Sequence, residues 1–323
     1  MTEIVTADIG GTHARFAIAE VQAGRVTALG EPCTLKTAEH ASFQSAWEAF
    51  GRELGRPTPR AAAIAIASPI RGEVLKMTNN PWIIRPALIP EKLGVDRFVL
   101  VNDFGAVGHA VGQLPPEGFR HLFGPEAPLP PTGVVSVLGP GTGLGVAQLV
   151  RRGKGQSVVE TEAGHVDFAP LDALEDAILA VLRHRYTRVS VERIVSGPGL
   201  ANLYEALATI EGRRVQLGDD KSLWQAALEG ADSLAAAALD RFCLSFGAFA
   251  GDVALTHGAE TVVLAGGVGA RVAGHLPQSG FHQRFIAKGR FQDRMAQIPV
   301  YLLTHPQPGL FGAAAAFATE HGE

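Results

Sequence analysis

Two short segments of this chain repeat one design. Residues 4–19 read IVTADIGGTHARFAIA and residues 134–150 read VVSVLGPGTGLGVAQLV. Each is an apolar run, a tight glycine–threonine turn and a second apolar run. The pattern predicts a β-hairpin whose tip exposes backbone N–H groups and a threonine hydroxyl. Glycine suits such a tip because a backbone without Cβ takes positive φ and lets a phosphate approach closely. One tip of this kind fits any hairpin. Two in one chain point to a clasp that grips a polyphosphate from both sides, with two ordinary, ligand-free hairpins as the plain alternative. Asp8, just before the first turn, favours the clasp, because a carboxylate beside a phosphate loop is best explained by a cation.

The residues after the glycines exclude the commoner phosphate motifs. A P-loop needs a lysine after its second glycine, and none follows either turn. A dinucleotide fingerprint must open a helix. Gly141-Thr142-Gly143-Leu144-Gly145 instead runs into the short, β-branched stretch Val146–Val150, and Arg15–Ile18 is soon followed by Gly24.

With 323 residues, 46% of them hydrophobic, the chain can bury a large core as one large or two ordinary domains. Its 38 glycines exceed the usual ~7% share and point to many tight turns, as in an α/β enzyme. A net charge of −4 without a Lys/Arg block gives no footprint for nucleic acid. Cys33 and Cys243 are too few for a disulfide framework or a four-thiolate zinc site. The most apolar helical stretch, 234–257, contains Asp240, Arg241 and Asp252 and reads as a buried helix, not a membrane span, and no membrane partner is expected. No basic region or apolar signal core precedes Asp8, so the cytoplasm is the expected compartment.

Periodicity and turn signals predict a strand near Thr34, a helix over 41–54 and buried strands at 61–67 and 98–101. A proline-rich connector follows at 114–133. Helices are expected at 171–186, 199–211, 221–229 and 231–257, with a short helical start near Ser190. A strand at 261–265 and a helix at 310–319 complete the chain. The expected class is α/β, with a smaller domain from 1–113 plus 306–323, a larger one from 114–305, and a cleft between them.

Asp103 ends a predicted strand, where open α/β sheets place ligand-contacting residues. There it either caps the next helix or accepts the proton of an attacking hydroxyl, as a base in phosphoryl transfer does. Its neighbour Asn102 can bond a polar substrate. Glu162 and His165 have a spacing seen in metal sites on helices, but Gly164 and the following VDFAP do not suit a helix. Together they can instead bind vicinal hydroxyls, one accepting and the other donating. Glu192 is a further acceptor, or an ordinary first-turn glutamate. Gly266 and Gly267 end a strand where backbone can approach a nucleotide, and Ser196-Gly197-Pro198 opens a helix in a similar way. No nucleophile elbow is present.

The blocks DIGGT (8–12), NDF (102–104), GPGTGLG (139–145), EAGHVDFAP (162–170), SGPGL (196–200) and AGG (265–267) occur in the order seen in bacterial glucokinases, and the chain resembles that family along its whole length. The family belongs to the hexokinase, actin and Hsp70 superfamily, so the resemblance implies a two-domain actin-like ATPase fold. It implies phosphorylation of glucose by ATP with Asp103 as base. Asn102, Asp103, Glu162, His165 and Glu192 would hold the sugar. Gly10, Gly11, Thr12, Gly141, Thr142, Gly143, Gly266 and Gly267 would hold ATP, with Asp8 near Mg²⁺. A homodimer is the expected assembly. The chain departs from the family pattern at His13, where asparagine is usual, and at Ala163, where glycine is common. It lacks the cysteine-rich zinc motif of the related repressor/ORF/kinase group.

Overall fold

The chain folds as two units, one formed by Met1–Pro115, Val158–Glu160 and His305–Glu323, the other by Pro116–Ser157 and Thr161–Thr304. The computed structural model describes residues 1–77, 80–153, 155–215 and 218–322.

The first unit opens with the first predicted hairpin. Strand β1 (Thr2–Ile9) pairs antiparallel with β2 (His13–Gln22), with Asp8 opposite Arg15 and Ile9 opposite Ala14. Strands β3 (Arg25–Leu29) and β4 (Cys33–Lys36) both pair with β2. Of these, only the strand near Thr34 is legible in the sequence. Helix α1 (Phe43–Leu54) starts at a Ser42–Ser45 capping box and stops at Gly55 in the left-handed region. Next come β5 (Ala61–Ile66), the short pair β6 (Leu75–Met77) and β7 (Asn80–Ile84), α2 (Ile89–Leu93), β8 (Arg97–Asn102) and α3 (Asp103–Gln113). β1, β5 and β8 run parallel.

Both faces of this sheet are covered, so β5 reads as a continuous apolar run. Ala62, Ile64 and Ile66 pack with Phe43, Trp47 and Phe50 of α1. Ala61, Ala63 and Ala65 pack with Ala313, Ala314, Ala316 and Phe317 of the C-terminal helix (Pro308–His321). Alanine on both sides lets that helix lie close. Its contact with α3 is closer still, since a Cβ on Gly312 would collide with the Ala106 carbonyl.

The second unit contains β9 (Phe119–Phe123), β10 (Gly133–Pro140), β11 (Leu144–Arg152) and the ends of β12 (Gly155–Thr161), whose Val158–Glu160 belong to the first unit. The stretch 114–133, expected to be a bare connector, therefore contributes a strand. β9 is an edge strand, antiparallel to the sheet's last parallel strand, and its prolines lie in the flanks. Helices α4 (Ala173–Arg185), α5 (Gly197–Ile210), α6 (Asp220–Glu229) and α7 (Ser233–His257) follow, each begun by an Asp or Ser side-chain cap. Strand β13 (Thr261–Leu264), α8 (Gly267–Val272), α9 (Phe281–Ile286), α10 (Gln292–Ala296) and β14 (Val300–Leu303) close the unit. β10 is antiparallel to β11 and parallel to β13, as β1 is to β2 and β5. The hairpin repeat thus extends to the third strand of each sheet.

Helix α7 is long and apolar enough to cross a membrane, but 78% of its most apolar window is buried. Phe242, Phe246 and Phe249 lie in the core with Trp224, Phe281 and Phe285. It is a core helix, as its internal charges imply.

Burial pushes the His109 imidazole on α3 down to about 4. An unfolded imidazole titrates near 6.5, so between these values the unfolded chain binds more protons. Stability is then full above about pH 6.5 and falls as pH drops toward 4, by up to ~3 kcal/mol. Thermal unfolding of His109→Gln is expected to lose less stability than the parent over that window. Equal losses would contradict the assignment, because burial shifts His257 and His282 in the same direction and they remain in both proteins.

Candidate active site

The two glycine turns have the same burial order: residues 11–20 and 141–150 share one sequence of exposed and buried positions, with Thr12 and Thr142 exposed at the tips. In the first turn the carbonyls face inward. Gly10 is held by Asn80 Nδ2 at 3.2 Å, Gly11 by the Thr37 hydroxyl at 2.8 Å and Thr12 by the Thr37 N–H at 3.0 Å. The tip is left with the N–H groups of Gly11 and Thr12 and the Thr12 hydroxyl, a set suited to an anion.

Asp8 stands at the base of this turn. Its side chain is 22% exposed, and Arg15 Nη1 lies 3.4 Å from Oδ2. Burial raises the Asp8 carboxyl above its usual range, with Arg15 pulling the other way. A Cβ on Gly309, in the first turn of the C-terminal helix, would be 2.7 Å from Oδ2. The carboxylate therefore sits at that helix's start, where the dipole favours its charge. One hard oxygen donor with high proton affinity fits Mg²⁺ arriving on a nucleotide, since that ion takes one or two carboxylates and fills its shell with phosphate and water.

At the β8–α3 junction the sequence leaves open whether Asp103 caps the helix. The cap is Asn102: its Oδ1 accepts from Phe104 N at 2.9 Å and Gly105 N at 3.2 Å, and its Nδ2 donates to the Ser68 carbonyl at 3.3 Å. Asp103 is the first helical residue, and its Oδ1 accepts from Phe104 N at 2.8 Å. One amide hydrogen of Asn102 remains for a ligand.

In the second unit three predicted groups converge on Leu144. Its N–H donates to Glu192 Oε2 at 2.8 Å. Its carbonyl lies where a Cβ of Gly164 would be, so only glycine lets the 162–165 loop pack there. Glu162 and His165 flank that glycine on a single 3₁₀ turn, with His165 Nε2 3.9 Å from Glu162 Oε2 and side chains 56% and 68% exposed. This is a pair open to a ligand, not a satisfied core pair. The turn itself is fixed by Gly141 N to the Gly143 carbonyl, 2.8 Å, and by Gly197 N of α5 to the Gly141 carbonyl, 2.7 Å. Gly266 precedes α8 at φ 79°, and a Cβ there would be 2.5 Å from the Pro140 carbonyl.

Two contributors carry no sequence motif. Glu160 Oε1 accepts the Asn102 N–H at 3.0 Å, and a Cβ on Gly105 would strike its carboxylate. A glycine in the first turn of α3 was the available signal. Arg188 Nη2 donates to the His165 carbonyl at 2.6 Å while Nε pairs with Asp167 at 2.6 Å. With the Asp167–Ser190 bridge and Val191 N to the Val166 carbonyl, 2.9 Å, it straps the Glu162/His165 loop to the segment bearing Glu192.

Neither thiol belongs to this machinery. Burial pushes Cys33 and Cys243 up to about 12 each, so both are protonated near neutrality. A Cys33→Ser, Cys243→Ala double variant is expected to keep parental turnover with a modest loss of melting temperature. Specific loss of turnover in the folded variant would reveal a thiol role.

The chain matches the Glucokinase family over residues 5–320. A glucokinase from Zymomonas mobilis subsp. mobilis is 64% identical over 321 residues, 99% of each chain. One from Caulobacter vibrioides is 41% identical over 317 residues, 97% of this chain and 94% of the other. Among solved structures, the crystal structure of glucokinase from an Antarctic psychrotroph aligns with a TM-score of 0.86 at 31% identity, covering 98% of this chain and 99% of that one. A ROK family glucokinase from Streptomyces griseus, in complex with glucose and AMPPNP, aligns at 0.64 and 19% identity, covering 97% and 98%. The fold is that of the two-domain actin-like ATPases.

Proposed function

The chain belongs to the glucokinase family, and from that premise we propose how its residues transfer the γ-phosphoryl group of ATP to glucose. Glu162 accepts from sugar hydroxyls and His165 donates to or accepts from its neighbours. Glu192 uses the oxygen not bonded to Leu144, and Asn102 its remaining amide hydrogen. Asp103 takes the proton of the 6-hydroxyl as that oxygen attacks phosphorus. The new O–P bond forms as the bond to ADP breaks, giving glucose 6-phosphate. The tips hold the phosphates through the N–H groups of Gly11, Thr12, Thr142 and Gly143 and the hydroxyls of Thr12 and Thr142, while Gly10 and Gly141, whose N–H groups close the turns, leave room for close approach. Gly266 and Gly267 admit the nucleotide to close backbone approach. Asp8 would hold a Mg²⁺ ion arriving with the nucleotide, and that ion would supply charge neutralisation.

The observation that carries this reading is the convergence on Leu144 of a glycine–threonine turn, a carboxylate–imidazole loop and Glu192. The working form is a homodimer in the cytoplasm, with no nucleic-acid or membrane partner; light scattering after size exclusion reads the assembly. A coupled assay with ATP, Mg²⁺ and a panel of hexoses tests the activity. Glucose-dependent ADP release is expected. Equal or faster turnover on mannose or fructose would overturn the assignment of glucose as substrate.

A further inference from the structure

We infer that Glu192 is a positioning residue for the phosphate-binding turn as well as a sugar ligand, so that one carboxylate serves both substrates. The inference rests on the reading above for the roles of the turn and the sugar loop. The placement of one carboxylate oxygen supports it. Glu192 Oε2 accepts the Leu144 N–H at 2.8 Å, at the first residue after the turn. The same oxygen would lie 2.5 Å from a Cβ on Gly143, so the carboxylate fills the space that the missing side chain leaves. Glu192 itself is fixed by its backbone: it lies in a 3₁₀ turn, Val191–Arg193, and Val191 N is bonded to the Val166 carbonyl. The turn between β10 and β11 is thus propped from beneath by a group anchored outside the hairpin.

A negative charge under a phosphate site repels the ligand, while its hydrogen bond orders the donors that bind it. These effects oppose each other, and two substitutions separate them. Glu192→Gln keeps an oxygen for the Leu144 N–H and removes the charge. Glu192→Ala removes both.

The experiment is calorimetric titration of a non-hydrolysable ATP analogue with Mg²⁺ into the sugar-free full chain. Alongside the parent it uses Glu192→Gln, Glu192→Ala, Glu162→Ala and Thr142→Ala, with melting temperatures to confirm folding. Glu192→Ala is expected to bind the analogue about tenfold more weakly, as loss of one charge-assisted bond implies. Glu192→Gln should bind as the parent does or more tightly, and Glu162→Ala as the parent does. Thr142→Ala should weaken binding. If Glu192→Ala binds like the parent while Thr142→Ala is weakened, the inference fails and the phosphate turn stands. If neither is weakened, the phosphate turn itself is misassigned. Equal weakening in Glu192→Gln and Glu192→Ala would overturn the prop as well, because the bond would then not be the cause.

Discussion

Asp103→Asn and Asp103→Ala are expected to lower turnover by about 10²–10⁴-fold, the usual cost of losing a positioned base. Glucose affinity should be almost unchanged. The structure separates this effect from an unfolded helix start. Asn102, not Asp103, caps α3, through bonds to Phe104 N and Gly105 N. The Asn variant also keeps an oxygen for the Phe104 N–H that Asp103 Oδ1 accepts. Turnover above a tenth of the parent value in either variant would remove Asp103 from the role.

The second large effect is expected on the sugar side. Glu162→Ala or His165→Ala should raise the glucose KM about 10- to 100-fold, since an unpaired polar partner costs roughly 1–3 kcal/mol. The ATP KM should stay within about twofold, because on this account the loop's side chains do not touch the nucleotide. The 3₁₀ turn is held by its backbone, with His165 N bonded to the Glu162 carbonyl at 3.0 Å and Arg188 on the His165 carbonyl. Truncating the two exposed side chains therefore leaves the loop in place. If activity instead tracked added zinc and vanished on selective chelation, the pair would be metal ligands.

Most of the architecture is legible in the sequence because its elements are apolar runs bounded by glycine, proline or a capping residue. The hairpins at 2–22 and 133–152, helix α1 ending at Gly55, and the buried strands β5 and β13 are all of this kind, while β8, expected to be buried, is a half-buried strand at the end of its sheet. The misses have physical causes. β3 is short and largely exposed, with only Val26 and Leu29 packed partly against the core. β9 is a half-buried edge strand within a proline-rich stretch, so its partner β14 defines it more than its own residues do. At the candidate site, the glycine blocks and polar pairs are visible in the sequence as motifs. The links among them are tertiary and leave fainter marks. Nothing in the local sequence ties Glu192 to Leu144 N or Arg188 to the His165 carbonyl, since each bond joins residues from different elements. Glycines record part of this network, since Gly143, Gly164 and Gly105 lack side chains where Glu192, Leu144 and Glu160 lie, and none marks Arg188.

A crystal structure of the protein with glucose, Mg²⁺ and a non-hydrolysable ATP analogue tests the account most directly. It should place an Asp103 carboxylate oxygen about 2.6–3.2 Å from the glucose 6-oxygen, the reach of a general base. The 6-oxygen should face the terminal phosphorus, and both glycine–threonine tips should contact the phosphates. A glucose whose 6-hydroxyl bonds a different side chain, with Asp103 out of reach or either tip away from the phosphates, would contradict it.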